Sequence, residues 1–165
     1  MPLGAPAEAQ QGAGSRLARV RALIQRTTAA NVKVDGHTTG EITLGLVILF
    51  GVARPDTHAH VQRLAERVAR LRIFPNDAGR FDRSLLDIAG EALVISQFTL
   101  YGDTSEGNRP SMSGAAPPEV AEPIYDDFVH ALRATGIRNV ETGIFGASMQ
   151  VELINDGPVT LLLEA

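Results

Sequence analysis

Apolar and polar residues repeat along this chain with two periods, and the switches between them mark most of its elements. Arg21–Arg26 (RALIQR) predicts a first strand, and Asn31–Asp35 another, because Val32 and Val34 alternate with polar neighbours. Asp35-Gly36 is turn chemistry, and Gly40-Glu41-Ile42 starts the return. Leu44–Val52 (LGLVILFGV) is almost unbroken in apolar residues, as in a central strand buried on both faces, and Arg54-Pro55-Asp56 ends it. The period then lengthens. Over Thr57–Arg72, Val61, Leu64, Ala65, Val68 and Leu71 share one helical face, Arg63, Glu66, Arg67 and Arg70 fall elsewhere, and Asp56 or Thr57 is placed to cap.

Ile73-Phe74 predicts a short extended piece before the turn Pro75–Gly79, and Ala92–Leu100 another strongly apolar strand. Gly102–Pro118, dominated by Gly, Ser, Pro and Asn, predicts a long loop, functional or mobile. A second helix is expected over Pro118–Ala134. Val120, Ile124, Phe128 and Leu132 recur every four residues with Ala121 and Tyr125 beside them, Pro123 lies in the first turns, and Gly136 stops it. Met149–Ile154 and Val159–Leu163 form a last pair of strands around Asn155-Asp156-Gly157-Pro158, which by itself is ordinary hairpin-turn chemistry. The order predicts a single compact α/β domain: a curved mixed or antiparallel sheet, barrel-like, with two main helices.

Composition narrows the chemistry. The 165 residues, 44% of them hydrophobic, suit one domain with a real core. Residues 1–20, rich in Ala, Gly and Gln with Pro2 and Pro6, read as a disordered tail without the apolar region of a signal peptide, leaving 21–165 as the domain. With no cysteine, disulfides, thiolate catalysis and cysteine-ligated zinc are excluded, which is compatible with a reducing, cytoplasmic location. A net charge of −4 argues against a broad phosphate-tracking surface, so any nucleic-acid contact is local. No apolar run has membrane-spanning length.

Standard catalytic kits fit poorly. His58 and His60 are two apart, so on a helix they do not share a face, and neither a metal nor a cofactor is expected. Ser96 and Ser111 lack a G-x-S-x-G elbow, and His37 and His130 are the remaining candidate bases for a triad. No phosphate-cradling glycine loop opens a helix. Ser96-Gln97-Phe98-Thr99 is read as continuing the strand, with Ser96 and Phe98 on one face and Gln97 and Thr99 on the other. Two readings stay open for it: polar groups satisfied by neighbouring backbone, or a polar cleft floor with an aromatic suited to stacking a base. The Gly157-Pro158 step likewise combines a permissive backbone, a missing N–H and a bond for which cis costs only about 0.5–1 kcal/mol.

Ser96-Gln97-Phe98-Thr99-Leu100 and Asn155-Asp156-Gly157-Pro158-Val159-Thr160 together resemble the two signature motifs of D-aminoacyl-tRNA deacylases. The likeness extends to Ala22–Arg26, Leu71–Phe74, Arg109-Pro110-Ser111 and Gly114-Ala115, and spans nearly all of 21–164. The resemblance implies a homodimer that hydrolyses the ester joining a D-amino acid to the terminal adenosine of tRNA. It also implies activity on glycine mischarged on alanine tRNA, with no DNA or membrane partner. Gly157-Pro158 would be cis and enter the partner subunit's active site, its two carbonyls aimed at the chiral centre, so that L-amino acids are rejected by clash. Ser96, Gln97 and Thr99 would supply hydrogen-bonding groups around the ester. Phe98, Met149 and Asn155 would join Gly157 and Pro158 in holding substrate. The 2′-hydroxyl of tRNA would assist catalysis; Thr99 as nucleophile is the rival, ranked lower because no base adjoins it in sequence. A non-catalytic tRNA-end-binding module and a small-ester hydrolase are the alternatives.

Some positions depart from the family. Gly143-Ile144-Phe145 stands where Gly-Arg-Phe is common, Ser148 replaces a common acidic residue, and Met112 sits where an aromatic is usual. Members usually begin with methionine where Val20 stands, so the native protein is expected to start there. Arg63, Arg67 and Arg70 are candidate phosphate contacts, with a solvated helix face the simpler reading.

Overall fold

Everything in the fold is hung on one strand, β1 (Arg21–Val34). The computed structural model describes residues 19–165, so the tail expected over 1–20 lies outside the described residues except for Arg19 and Val20. Val20 is buried, and its carbonyl accepts from the Ala165 N–H at 3.1 Å. The two segments expected as separate strands at the start of the domain are this single 14-residue strand. It needs three neighbours to satisfy its length. One edge pairs with β3 (Gly45–Gly51) over its first half and with β2 (His37–Ile42) over its second, both antiparallel. The other edge pairs antiparallel with β8 (Gln150–Glu164) along almost the whole strand.

β3 is the expected central strand. Leu46, Ile48 and Phe50 face one core and Val47 the other. It pairs parallel with β6 (Glu91–Ser96), which pairs parallel with β7 (Asn139–Thr142), a strand too short and polar to announce itself in the sequence. Parallel neighbours require crossovers. The first carries α1 (Val61–Arg70) and a small hairpin of β4 (Phe74–Pro75) and β5 (Phe81–Arg83); the second carries α2 (Pro118–Ala134). Both helices pack on the same face of the sheet.

On the other face the sheet curls until β2 meets β7. A Cβ on Gly40 would lie 2.7 Å from the Thr142 carbonyl, so only glycine permits that approach. The result is a single α/β domain with a nearly closed, barrel-like mixed sheet and two helices.

α2 matches its expected bounds. Phe128 stacks on Phe50 with ring centroids 4.3 Å apart, and a phenylalanine buried this way contributes about 1.5–3 kcal/mol. Gly136 closes the helix at φ 99°. Val120, expected on the apolar face, is exposed; Ala121, Ile124, Tyr125, Phe128, Val129 and Leu132 are the buried set. α1 is shorter than its periodicity predicts. Thr57 caps a preceding single turn of 3-10 helix (His58–His60), and Leu71 is already extended. Asp56 does not cap a helix: its carboxylate accepts from the Ala53 N–H at 2.5 Å, tightening the exit of β3.

Two corrections bear on the site. β6 stops at Ser96 rather than running on to Leu100; Phe98–Tyr101 is a one-turn 3-10 helix, so the alternation expected for Ser96–Thr99 does not hold. Asn155–Thr160 is also not a hairpin. Gln25 of β1 lies opposite Thr160 and Thr27 opposite Asn155, so the four residues 156–159 bulge out of a continuous strand. Both flanks run the same way because both pair with β1, a partner 130 residues earlier that local turn chemistry does not reveal.

Candidate functional site: an uncharged cavity at the strand ends

The carboxyl ends of β3 and β6 open onto a cavity of about 610 Å³, at the place where ligands gather in sheets with parallel strands. Phe50, Ser96 and Gln97 are part of its lining. Ser96, last in β6, lies opposite Phe50 of β3, and the Gln97 N–H still donates to the Phe50 carbonyl at 2.8 Å. The chain then turns: Leu100 N–H donates to Gln97 O at 3.3 Å and Gly102 N–H to Thr99 O at 3.0 Å. The turn rides directly over Gly51. A Cβ there would lie 3.0 Å from both the Gln97 carbonyl and the Tyr101 ring.

The walls come from three further segments. α2 contributes Ala121 and Tyr125, the segment after β7 contributes Phe145, Ala147 and Met149, and the long loop contributes Met112 and Ala115–Pro117. That loop is tethered, not slack: Ala116 N–H donates to Val52 O at 3.0 Å and Arg54 N–H to Gly114 O at 2.9 Å, and Asp103 and Ser111 exchange bonds of 2.8 and 2.9 Å. Met149 fits because Gly143 has no side chain; a Cβ there would lie 2.5 Å from the Met149 sulfur. The Tyr125 hydroxyl donates to the Val94 carbonyl at 2.9 Å, and burial pushes its pKa well above the ordinary phenol range, so it stays a neutral donor.

Among the described residues, no Asp, Glu, His, Lys or Arg lines this cavity. It can enclose an aromatic or sugar-sized group among Phe50, Phe98, Phe145 and the two methionines, and offer hydroxyl, amide and main-chain groups near Ser96 and Gln97. It offers no carboxylate or imidazole as a base. His130 lies in a separate groove between α1 and α2, with His58 and Glu66; His58 pairs there with Asp127. Ser111 donates to Ser113 at 3.1 Å, and His37 is exposed at the start of β2. The triad weighed from sequence is therefore not assembled at the cavity.

Of the site residues expected from sequence, Ser96, Gln97, Phe98 and Met149 line the cavity together. Thr99 follows in the turn, exposed, its hydroxyl accepting from the Gln97 side-chain amide. Asn155, Gly157 and Pro158 are not among the lining residues. They sit in the β8 bulge, where Gly157 and Pro158 are exposed and joined by a cis peptide bond, with Gly157 at φ 140°. Asn155 ties the bulge from inside: its Oδ1 accepts from Val159 N–H at 2.7 Å, and its amide donates to Thr160 Oγ1 at 2.9 Å.

Arg26, a buried cation in the first half of β1, donates from Nε to Asp156 O at 2.8 Å and from Nη1 to Ile73 O at 2.7 Å. Phe50, Tyr125 and Arg26 were not singled out in the sequence as site residues. The first two read as ordinary core, and only an arginine expected in a strand could have flagged the third. Ile144 and Ser148 are both exposed on the segment after β7. Arg67 donates from Nη1 to Glu164 O at 2.7 Å, so that helix-face cation closes the C-terminal strand.

Known proteins resemble this chain in sequence and fold. The family model described as D-Tyr-tRNA(Tyr) deacylase matches residues 23–164. A D-aminoacyl-tRNA deacylase of Roseiflexus castenholzii (strain DSM 13941 / HLO8) is 58% identical over 146 residues, covering 88% of this chain and 92% of the relative. One from Thermosipho africanus (strain TCF52B) is 51% identical over 146 residues, 88% of this chain and 97% of that one. Among solved structures, the c-Myc DNA Unwinding Element Binding Protein superposes with a TM-score of 0.81 at 37% identity over 88% of this chain and 98% of its own. A probable eukaryotic D-amino acid tRNA deacylase shares the fold, with a TM-score of 0.80 at 14% identity over 89% of this chain and all of its own.

Proposed function

The chain belongs to the D-aminoacyl-tRNA deacylase family of hydrolases, and on that premise we propose how its geometry performs and restricts the reaction. The substrate is the acceptor end of aminoacyl-tRNA, its terminal adenosine seated in the cavity against Phe98 and the ester near Ser96, Gln97 and Thr99. Water attacks the ester carbonyl, the bond to the ribose oxygen breaks, and a free D-amino acid and tRNA leave. The observation that carries this reading is a cavity of about 610 Å³ lined by Ser96, Gln97 and Phe98, with no charged side chain among the described residues that line it. An activated ester needs placement and oxyanion donors more than a strong base. The neighbouring 2′-hydroxyl of the tRNA supplies the assistance that the lining lacks.

Selectivity is exercised by Gly157-Pro158 of a second copy of the chain. In its own chain the dipeptide is exposed on β8 and lies outside the cavity lining. A homodimer that inserts it into the partner subunit's cavity gives it a function there. A main-chain wedge held by Asn155 and Arg26 leaves no space for an L side chain and tolerates hydrogen, so glycine mischarged on alanine tRNA is also cleaved.

Location in the cytoplasm follows from the substrate; among the described residues no helix is long and apolar enough to cross a membrane. Incubation with D-tyrosyl-, L-tyrosyl- and glycyl-tRNA tests the scheme: the first and third are released and the second is spared. Binding without turnover would make the protein a tRNA-end-binding module, and indifference to tRNA would make it a small-ester hydrolase. Size-exclusion chromatography with light scattering tests the dimer.

A further inference from the structure

The turn that carries Phe98 and Thr99 is too short to fix its own geometry. At its ends the Leu100 N–H donates to the Gln97 carbonyl at 3.3 Å and the Gly102 N–H to the Thr99 carbonyl at 3.0 Å, and a 3-10 turn this short takes its shape from what surrounds it. Beneath it lies Gly51, which supplies contact but no direction. On its C-terminal side lies a single guanidinium.

Arg21 stands opposite Gly51 in the β1–β3 ladder. Its Nη1 donates to the Leu100 carbonyl at 2.8 Å, its Nε donates to Glu164 Oε1 at 2.9 Å, and its guanidinium carbon sits 4.5 Å above the centre of the Tyr101 ring. The Tyr101 hydroxyl in turn donates to the Arg19 carbonyl. Three directions of one planar group are thus used at once, on the Leu100 carbonyl, the Tyr101 ring and the C-terminal strand.

We infer that Arg21 is a positioning residue for the deacylase reaction: it touches no substrate, but sets the orientation of the turn that presents Phe98 to the adenosine and Thr99 to the ester. The inference rests on the reading of the Ser96–Thr99 segment as the reaction site. Arginine is required because the fork reaches the Leu100 carbonyl and the Glu164 carboxylate together. A lysine has one point of charge and cannot serve both in the same geometry. Misplacement of a catalytic segment by about 1 Å is enough to cost up to about 100-fold in rate.

The test compares wild type, Arg21→Met and Arg21→Lys on D-tyrosyl-tRNA, with kcat and KM separated and the folded fraction of each followed by urea unfolding. Arg21→Met is expected to lower kcat about 10- to 100-fold with KM within about threefold, at a folded fraction equal to wild type under assay conditions. Arg21→Lys recovers part of kcat. Wild-type kcat in folded Arg21→Met overturns the inference, as does a loss that only tracks the unfolded fraction. If Arg21→Met does not fold, Arg21→Lys decides: wild-type kcat overturns the inference and a reduced kcat with unchanged KM supports it. Wild type that leaves D-tyrosyl-tRNA intact overturns the underlying reading of the site; active wild type with unaffected variants overturns the role of Arg21 alone.

Discussion

Arg26 and Asp156 are 130 positions apart, yet the Arg26 Nε–H lies 2.8 Å from the Asp156 carbonyl, one residue before Gly157-Pro158. The guanidinium is almost wholly buried, also serves the Ile73 carbonyl at 2.7 Å, and lies 5.8 Å from the centre of the exposed Phe81 ring. A charge this deep persists because its donors are used, and what they hold is the base of the β8 bulge.

Replacing Arg26 by Leu should therefore do two things. It strands the Ile73 and Asp156 carbonyls, at a cost of about 1–3 kcal/mol for a buried acceptor left unpaired. It also loosens the bulge, so hydrolysis of L-aminoacyl-tRNA rises relative to the D form. Urea unfolding and paired D and L deacylation assays check both; intact chiral discrimination in a folded Arg26→Leu protein would contradict the proposed wedge.

Gly51→Ala places a Cβ 3.0 Å from the Gln97 carbonyl and the Tyr101 ring, both parts of the turn over the cavity floor. The neighbours are main chain and a packed ring, so the turn must shift. Overpacking of this kind costs about 1–3 kcal/mol, and deacylation should fall by about tenfold or more as the turn moves. Thermal melting and kcat/KM report the two effects separately.

Phe98 is 60% exposed at the cavity mouth, so its truncation removes little core. Phe98→Ala should change stability by no more than about 0.5 kcal/mol. If the ring stacks on the terminal adenosine, substrate binding weakens by about 1–3 kcal/mol. A raised KM at nearly constant Tm is the expected pattern; an unchanged KM would remove Phe98 from the substrate contacts.

Glu91 links β6 to the β2–β3 turn and to β7. It accepts from the Thr43 hydroxyl at 2.6 Å, the Thr43 N–H at 3.0 Å and the Asn139 amide at 2.7 Å. The Thr43 hydroxyl, then Asn139, then the Thr43 N–H hold its pKa below the ordinary 4.5. A depressed folded pKa gives stability that is present above the unfolded value and is lost as pH falls through the folded one. Glu91→Gln should be less stable than wild type at neutral pH, with the gap closing once pH drops below about 4.5. Urea unfolding of both proteins across that range is the check.

Much of the framework is a property of the sequence alone. The unbroken apolar run of β3, the four-residue recurrence of α2 and the stops at Arg54-Pro55 and Gly136 are local signals, and each produced the expected element. The two motifs and the resemblance built on them marked Ser96, Gln97, Phe98 and Met149, which the fold brings to one cavity, and Asn155, Gly157 and Pro158, which lie outside its lining. What failed were readings that depend on a distant partner. Asn155–Pro158 has the composition of a hairpin turn, but the length of β1 makes it a bulge, since both flanks find their hydrogen bonds on the same earlier strand. Leu100 continues an apolar run, yet Gly51 beneath it and Arg21 beside it draw the chain into a turn. Arg26 and Arg21 look like surface charges of a strand until the carbonyls of Asp156 and Leu100 arrive. Period and turn chemistry report on a few neighbouring residues; register, close approach and the satisfaction of buried charge are settled between residues many tens of positions apart, and only the folded chain brings those together.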